Sequence, residues 1–373
     1  MLFYTINNLL ILLWAALFCF HKPSKKKNLI FIIFAFTQLG IISILRYHIG
    51  FDYNMYAAGY NFMYEDGFGV MQYKDWEIGF VFITKILGCL LPNYIWYMGL
   101  LVLVTLVPAA IFIYKNSEMP WVSTVLYVNL FLFFMTMNFI RQSIALSLVM
   151  LSWHFMKRNK FIPFAIVIII ASFFHQTALI MFIVYFFVKM KSGIKEIIVY
   201  LYLLLWFYIS STGFINLITS FVHEEYSDSV FIREGLSLIY AILPVVVVLI
   251  AFWLVKIKTI AVDREIQYII NMSLICAILS ITMSKHSILE RLTYYFTIFL
   301  IILVPIIYQS IRTNGIKFSI GSNKSVNLCA EKEKKIAAIV FLVLILALSY
   351  VHFYYGLGEN AHGVVPYETW LSF

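Results

Sequence analysis

The chain has little charge. Only 12% of its 373 residues are Asp, Glu, Lys or Arg, and 63% are apolar; soluble domains run about 25% and about 45–50% respectively. With a mean hydropathy of +0.92, a soluble globule is excluded. Cysteine is scarce as well. Cys19, Cys89, Cys276 and Cys329 stand far apart, which excludes a disulfide framework and a CxxC metal knuckle. The chain also lacks DxD, HExxH and GxxxxGK motifs and any adjacent pair of aspartates in its outer loops. Divalent-metal and nucleotide chemistry therefore have little to stand on, and neither a metal nor a cofactor is expected. There is no internal repeat, no low-complexity tract and no polar stretch long enough to be a separate domain.

What the sequence has instead is apolar runs of membrane-spanning length. Thirteen can be counted, from Leu2–Phe20 to Ile336–Tyr355. They predict an all-α polytopic integral membrane protein of about 12–13 hydrophobic segments, forming a single helical domain over residues 1–373. Basic clusters such as Lys22–Lys27, Lys157–Lys160 and Lys256–Arg264 hold 20 of the 27 Lys and Arg and mark the inner face. The net +9 and pI of 9.2 are then a matter of topology and not of nucleic-acid binding. No basic residue precedes the first segment and Lys22 to Lys27 follow it, so it reads as a retained span with its N-terminus outside. An outer loop at 46–77, a shorter one at 219–235, an inner loop at 309–335 and an outer tail at 356–373 complete the layout.

Two segments have the wrong length. Ile78–Leu91 has 14 residues, about 21 Å as a helix against a hydrocarbon core of about 30 Å, and reads as a half-span that dips in and returns. Phe161–Val188 is too long for one upright span and too short for two, and His175-Gln176 interrupts it. Two short helices meeting there would place that pair in a depression. Arg141 and Gln142 stand in the middle of the apolar stretch from Trp121 to Met156, which suggests spans at 121–140 and 144–156.

Ionisable groups at membrane depth cost about 2.5–3.5 kcal/mol each on insertion scales, so each one invites a reason. Arg46, Arg141 and Arg291 all fall at the outer ends of spans. Snorkelling to lipid phosphate accounts for Arg291 well enough. It accounts less well for Arg141, which is flanked by Asn138 and Gln142 with no acid within twenty positions and so calls for an anion from elsewhere. Guanidinium groups bind phosphate in bidentate fashion and never lose their charge, so a cluster of them would suit a diphosphate. Asp52, Glu77 and His175 are the candidate general bases. Each also has a plain alternative: Asp52 as a partner for Arg46, Glu77 as an interfacial carboxylate, His175 as a packing residue. Tyr47, Tyr53, Tyr56, Tyr60, Tyr64 and Tyr73 crowd the first outer loop, fit for an interfacial belt or for stacking on sugars.

In order along the chain stand R-x3-G-x-D-Y-x2-Y from Arg46 to Tyr56, then Trp76-Glu77-Ile78-Gly79-Phe80, then Phe139-Ile140-Arg141-Gln142-Ser143. These are followed by Phe174-His175-Gln176-Thr177, Arg291-x3-Tyr295-Phe296 and Pro366-Tyr367-Glu368-Thr369. This series resembles the EpsG family of exopolysaccharide and O-antigen polymerases of Wzy type. The resemblance implies a GT-C-like, metal-independent glycosyltransferase of the bacterial inner (cytoplasmic) membrane. Its substrate would be an undecaprenyl-diphosphate-linked oligosaccharide, and a chain-length regulator and a flippase would be its partners. On that reading Arg46, Arg141 and Arg291 bind the diphosphate, with Arg141 also catalytic. Glu77 or His175 takes the acceptor proton, and Asp52, Tyr53, Gln142 and Tyr295 position the sugars. Two alternatives stay open: another lipid-linked glycosyltransferase or ligase, and a flippase for the lipid-linked unit.

Overall fold

The computed structural model describes residues 1–66, 76–91, 93–191, 202, 205–213, 235–320 and 324–372. These residues form an all-α polytopic membrane protein. Among them, six helices are long and apolar enough to cross a bilayer, and a bent pair makes a seventh crossing if it is one span. The expected segment at 197–218 lies largely outside the described residues, as does the loop at 219–235. By packing, the chain divides into two compact units. One comprises Met1–Ile183 with Phe353–Phe373, and the other Val184–His352.

The first unit begins with α1 (Leu2–Phe18) and α2 (Lys25–Leu45). Ser24 caps α2, its hydroxyl accepting from the Lys27 amide, and 21 residues carry the helix about 31 Å, the depth of a hydrocarbon core. Then come α3 (Tyr53–Asp66), α4 (Ile78–Leu90) and α5 (Tyr94–Asn116), which packs on α2. The sequence reading treats 46–77 as loop, yet α3 occupies its middle. Tyr53, Tyr56 and Tyr60 recur at helical spacing on one face of α3 and are all buried, whereas Tyr64 is 49% exposed. The buried tyrosines are thus packing residues and not a lipid-facing belt, while Tyr73 lies outside the described residues.

The stretch from Pro120 to Met156 also departs from expectation. It holds three helices, α6 (Pro120–Asn129), α7 (Leu132–Asn138) and α8 (Ile140–Met156). α6 and α7 bend by 50°, around Phe131, whose φ of 65° ends helical hydrogen bonding. All their residues but Trp121 are buried, which is the condition for irregular backbone at membrane depth. The break before α8 comes at Phe139 and places Arg141 in its first turn. α4, with 13 residues, is as short as expected. The break at His175 is there too: α9 (Phe161–Ser172) ends, His175 is extended, and a 3₁₀ turn (Gln176–Leu179) leads into α10 (Ile180–Phe187).

One buried cluster ties these pieces together. Tyr56, Tyr60 and Met63 of α3 meet Trp76, then Phe80 and Val81 of α4, Tyr97 of α5, and Ile140 and Ile144 of α8. The Trp76 ring lies 5.4 Å from that of Tyr56 and 5.0 Å from that of Phe80. The tail after Gly358 is not free. Gly363 accepts from the Gly50 amide, Glu368 from the Tyr47 amide, and Thr369 bridges Arg46.

In the second unit, α11 (Ile239–Lys256) packs on α12 (Arg264–Thr282), which packs on α13 (Leu289–Asn314). The expected inner loop is mostly structured. α13 runs to Asn314, an antiparallel pair β1 (Ile316–Ile320) and β2 (Lys324–Leu328) follows, and α14 starts at Glu331, running to Gly358.

Replacing Trp76, which is 6% exposed, should therefore be costly. Trp76→Ala is expected to lose on the order of 3 kcal/mol in unfolding of the detergent-purified protein. Tyr64→Ala on the exposed face of α3 should stay within about 0.5 kcal/mol.

Candidate functional site

The short helix α4 and the broken α9–α10 segment meet at a backbone hydrogen bond: the Gly79 amide donates to the Phe173 carbonyl at 2.9 Å. A Cβ on residue 79 would sit 2.6 Å from that same oxygen, so only glycine allows the approach. The contact carries Glu77, two residues before Gly79, to His175, two residues after Phe173. Glu77 Oε1 lies 2.8 Å from His175 Nδ1, and Glu77 Oε2 forms an ion pair with Arg141 Nη1. One carboxylate thus bridges a cation and an imidazole from two other segments.

Arg141 also hydrogen-bonds the Tyr56 hydroxyl. It stands in the first turn of α8, where the positive end of the helix dipole adds to its own charge. The anion that Arg141 calls for is therefore supplied within the chain, by Glu77, 64 residues earlier in sequence. The three side chains remain partly open to solvent: 10% for Glu77, 13% for His175 and 18% for Arg141. Burial alone would raise the Glu77 carboxyl, but the hydrogen bond from His175 and the charge of Arg141 outweigh it and hold the group below its ordinary value. Glu77 is therefore ionised at neutral pH and a weak proton acceptor.

Arg46 lies in a second pocket, which is linked to the first through α3. Tyr53 faces Arg46, and Tyr56, one turn on, bonds Arg141. Arg46 is 2% exposed. Its Nη1 donates to the carbonyl and the hydroxyl of Ser43, both at 2.9 Å. Its Nε and Nη2 are buried and have no hydrogen-bond partner among the described residues, and neither has the Tyr94 hydroxyl in the same pocket. Tyr53, Met98 and Trp370 complete the walls around a cavity of about 10 Å³, the room of one water. Asp52 does not pair with Arg46. Its amide donates to Asn138 Oδ1 and its carboxylate acts on Tyr56.

Of the other expected site residues, Gln142 is 2% exposed beside Arg141, and Tyr53 is 8% exposed. Arg291 and Tyr295 belong to the second unit. Arg291 is half-buried in the first turn of α13, and Tyr295 is 0% exposed, enclosed by packing and not open to a sugar. Tyr94, Ser43 and Trp370 escaped the sequence reading. Ser43 stands one helical turn before Arg46 and that spacing could have found it, whereas only the fold brings Tyr94 and Trp370 to Arg46.

The lowered carboxyl of Glu77 sets a pH dependence. A depressed native value stabilises the fold above the unfolded value near 4.5, and that stability is lost as pH falls below 4.5 through the native value. The stability difference between wild type and Glu77→Gln should therefore not shrink between pH 8 and about 5, and should shrink in more acid solution. Denaturant unfolding across that range checks it, and a difference already shrinking above pH 6 would contradict it.

No curated protein and no solved structure matches the chain. The model of the EpsG family matches residues 27–369, a span that includes Arg46, Glu77, Arg141, His175 and the tail over the Arg46 pocket. By that match the chain belongs to the EpsG family, whose members are of the polysaccharide-polymerase type.

Proposed function

We propose that this chain joins oligosaccharide repeat units carried on undecaprenyl diphosphate into a surface polysaccharide, at the outer face of the bacterial cytoplasmic membrane. The observation that carries the reading is the Glu77 bridge between His175 and Arg141. A carboxylate bound at Nδ1 fixes the imidazole as its Nδ1–H tautomer, which makes Nε2 the nitrogen with the lone pair.

In this mechanism His175 Nε2 takes the proton of the acceptor hydroxyl. The hydroxyl oxygen forms its bond to the anomeric carbon of the donor as the bond from that carbon to the diphosphate oxygen breaks on the opposite face. The configuration inverts, and the lipid diphosphate leaves with the electron pair. The Arg141 guanidinium is a permanent positive charge beside this base, placed to meet the charge growing on the leaving group. Arg46 adds a second fixed positive charge in the same unit. Asp52, Tyr53 and Gln142 stand beside these groups as sugar-positioning residues. Glu77, doubly engaged and of low proton affinity, is a positioning residue and not the base. Arg291 is proposed as a further diphosphate contact on the residue type and the family motif alone. A flippase that delivers the units and a regulator of chain length are the partners this reaction needs.

The proposal is tested in cells whose own copy is replaced. With Arg141→Ala, single repeat units should accumulate on the lipid carrier and the ladder of regularly spaced polymer sizes should disappear. His175→Asn should lower polymer yield on the order of 10²-fold or more. A normal ladder in either variant would remove that residue from the mechanism.

A further inference from the structure

The Arg46 pocket sits at one end of an apolar groove that the mechanism does not use. The groove runs between α1 and α2 and has a volume of about 550 Å³, with walls of Phe3, Ile6, Leu10, Trp14, Phe34 and Ile41 among others. From Phe3 to Trp14 it extends about 16 Å along the helix axis. The polar side chains at its floor are turned on one another: Trp14 donates to Gln38 at 2.8 Å, and Gln38 donates to Asn7 Oδ1 at 2.6 Å. Ile42 lines the groove, and the next residue, Ser43, lines the Arg46 pocket. Tyr367 marks the junction, its ring stacked on Phe3 at 3.9 Å and its hydroxyl donating to the Ile42 carbonyl. Much of one wall comes from α1, which precedes the residues matched by the family model.

Three buried donors without acceptors among the described residues (Arg46 Nε, Arg46 Nη2 and the Tyr94 hydroxyl) stand next to an open apolar trough. Leaving such donors unmatched is costly, and the acceptor that would match all three is an anion with several oxygens. We infer that groove and pocket are one bipartite site for the carrier lipid of the donor substrate, with its phosphate at Arg46 and Tyr94 and the first part of its hydrocarbon chain between α1 and α2. A phosphate enters only when the Trp370 side chain moves, since the cavity as closed holds one water. The Trp370 indole is held by a single hydrogen bond of 3.4 Å to the Ile44 carbonyl. The inference rests on the polymerase reading for the identity of the lipid, and on the pocket and groove for its position.

The test uses the full chain in lipid nanodiscs with a photoreactive polyprenyl diphosphate carrying a diazirine near the head of its tail. Label should map to residues 3–14 and 33–42 of the wild type and be displaced by undecaprenyl diphosphate. Ile6→Trp, which fills the groove, should weaken the lipid probe at least tenfold, each excluded methylene counting about fourfold, and leave binding of inorganic pyrophosphate unchanged. Arg46→Gln should weaken both. Label elsewhere in the wild type, or equal labelling by a photoreactive phosphatidylcholine that the diphosphate lipid does not displace, would overturn the inference, and the wild-type map needs no variant to fold. Unchanged lipid affinity in a folded Ile6→Trp would overturn it as well. If the lipid binds as described while cells deleted for the chain still make polymer of normal length, the polymerase reading fails and the lipid site stands.

Discussion

Both oxygens of the Glu77 carboxylate are committed to other segments of the chain, one to an imidazole and one to a guanidinium, and the local backbone is built around that commitment. Charge taken largely out of water is costly unless it is paired and hydrogen-bonded. Arg141 in the first turn of a helix adds to the cost, because dipole and side chain carry the same sign there. The bridge removes the penalty for the acid and the base together. It needs a short α4, a break between α9 and α10, and a glycine where the two meet. Losing the break or the glycine would take the imidazole away from the carboxylate, and losing α4 would leave Arg141 without its counter-charge.

The second constraint is the aromatic packing behind the bridge. Trp76 immediately precedes Glu77 and is wedged between Tyr56 and Phe80, so the carboxylate hangs from a fixed ring and not from a mobile loop. Tyr56 belongs both to that cluster and to the hydrogen bonds of Arg141. Packing and electrostatics thus share a residue. One turn earlier on the same helix, Tyr53 faces the Arg46 guanidinium, which is matched only in part. α3 therefore connects a cation paired with a carboxylate to one that has no carboxylate partner among the described residues, a contrast that suits a site where one positive charge is held by an acid of the chain and the other is left for an anionic ligand.

The class of protein was legible in the composition, and the two abnormal segments were legible in their lengths, because a bilayer imposes a fixed span on any helix. His175 stood out as a polar break in an apolar run, and Arg141 as a charge without a nearby acid. Their common partner was not legible. The Glu77–Arg141 pair joins residues 64 apart, a contact that periodicity cannot report because it exists only once α4 and α8 have packed. For the same reason the tyrosines of the first loop read as a surface belt. Their helical spacing lay in a stretch too polar to look like a buried element, and the covering residues come from α4, α5 and α8. The bend at Phe131 had no proline or glycine to announce it. The cover over Arg46 comes from the far end of the chain, through Thr369 and Trp370.

The chemistry of this site depends on the orientation of one imidazole. Nitrogen-15 NMR of ring-labelled histidine in the membrane-embedded protein, with His175→Asn used to assign the signal, reads it directly. The neutral ring should be the Nδ1–H tautomer in the wild type and should lose that preference in Glu77→Gln. A wild-type ring protonated at Nε2, or a tautomer that ignores the loss of the carboxylate, would rule out His175 Nε2 as the base held in place by Glu77.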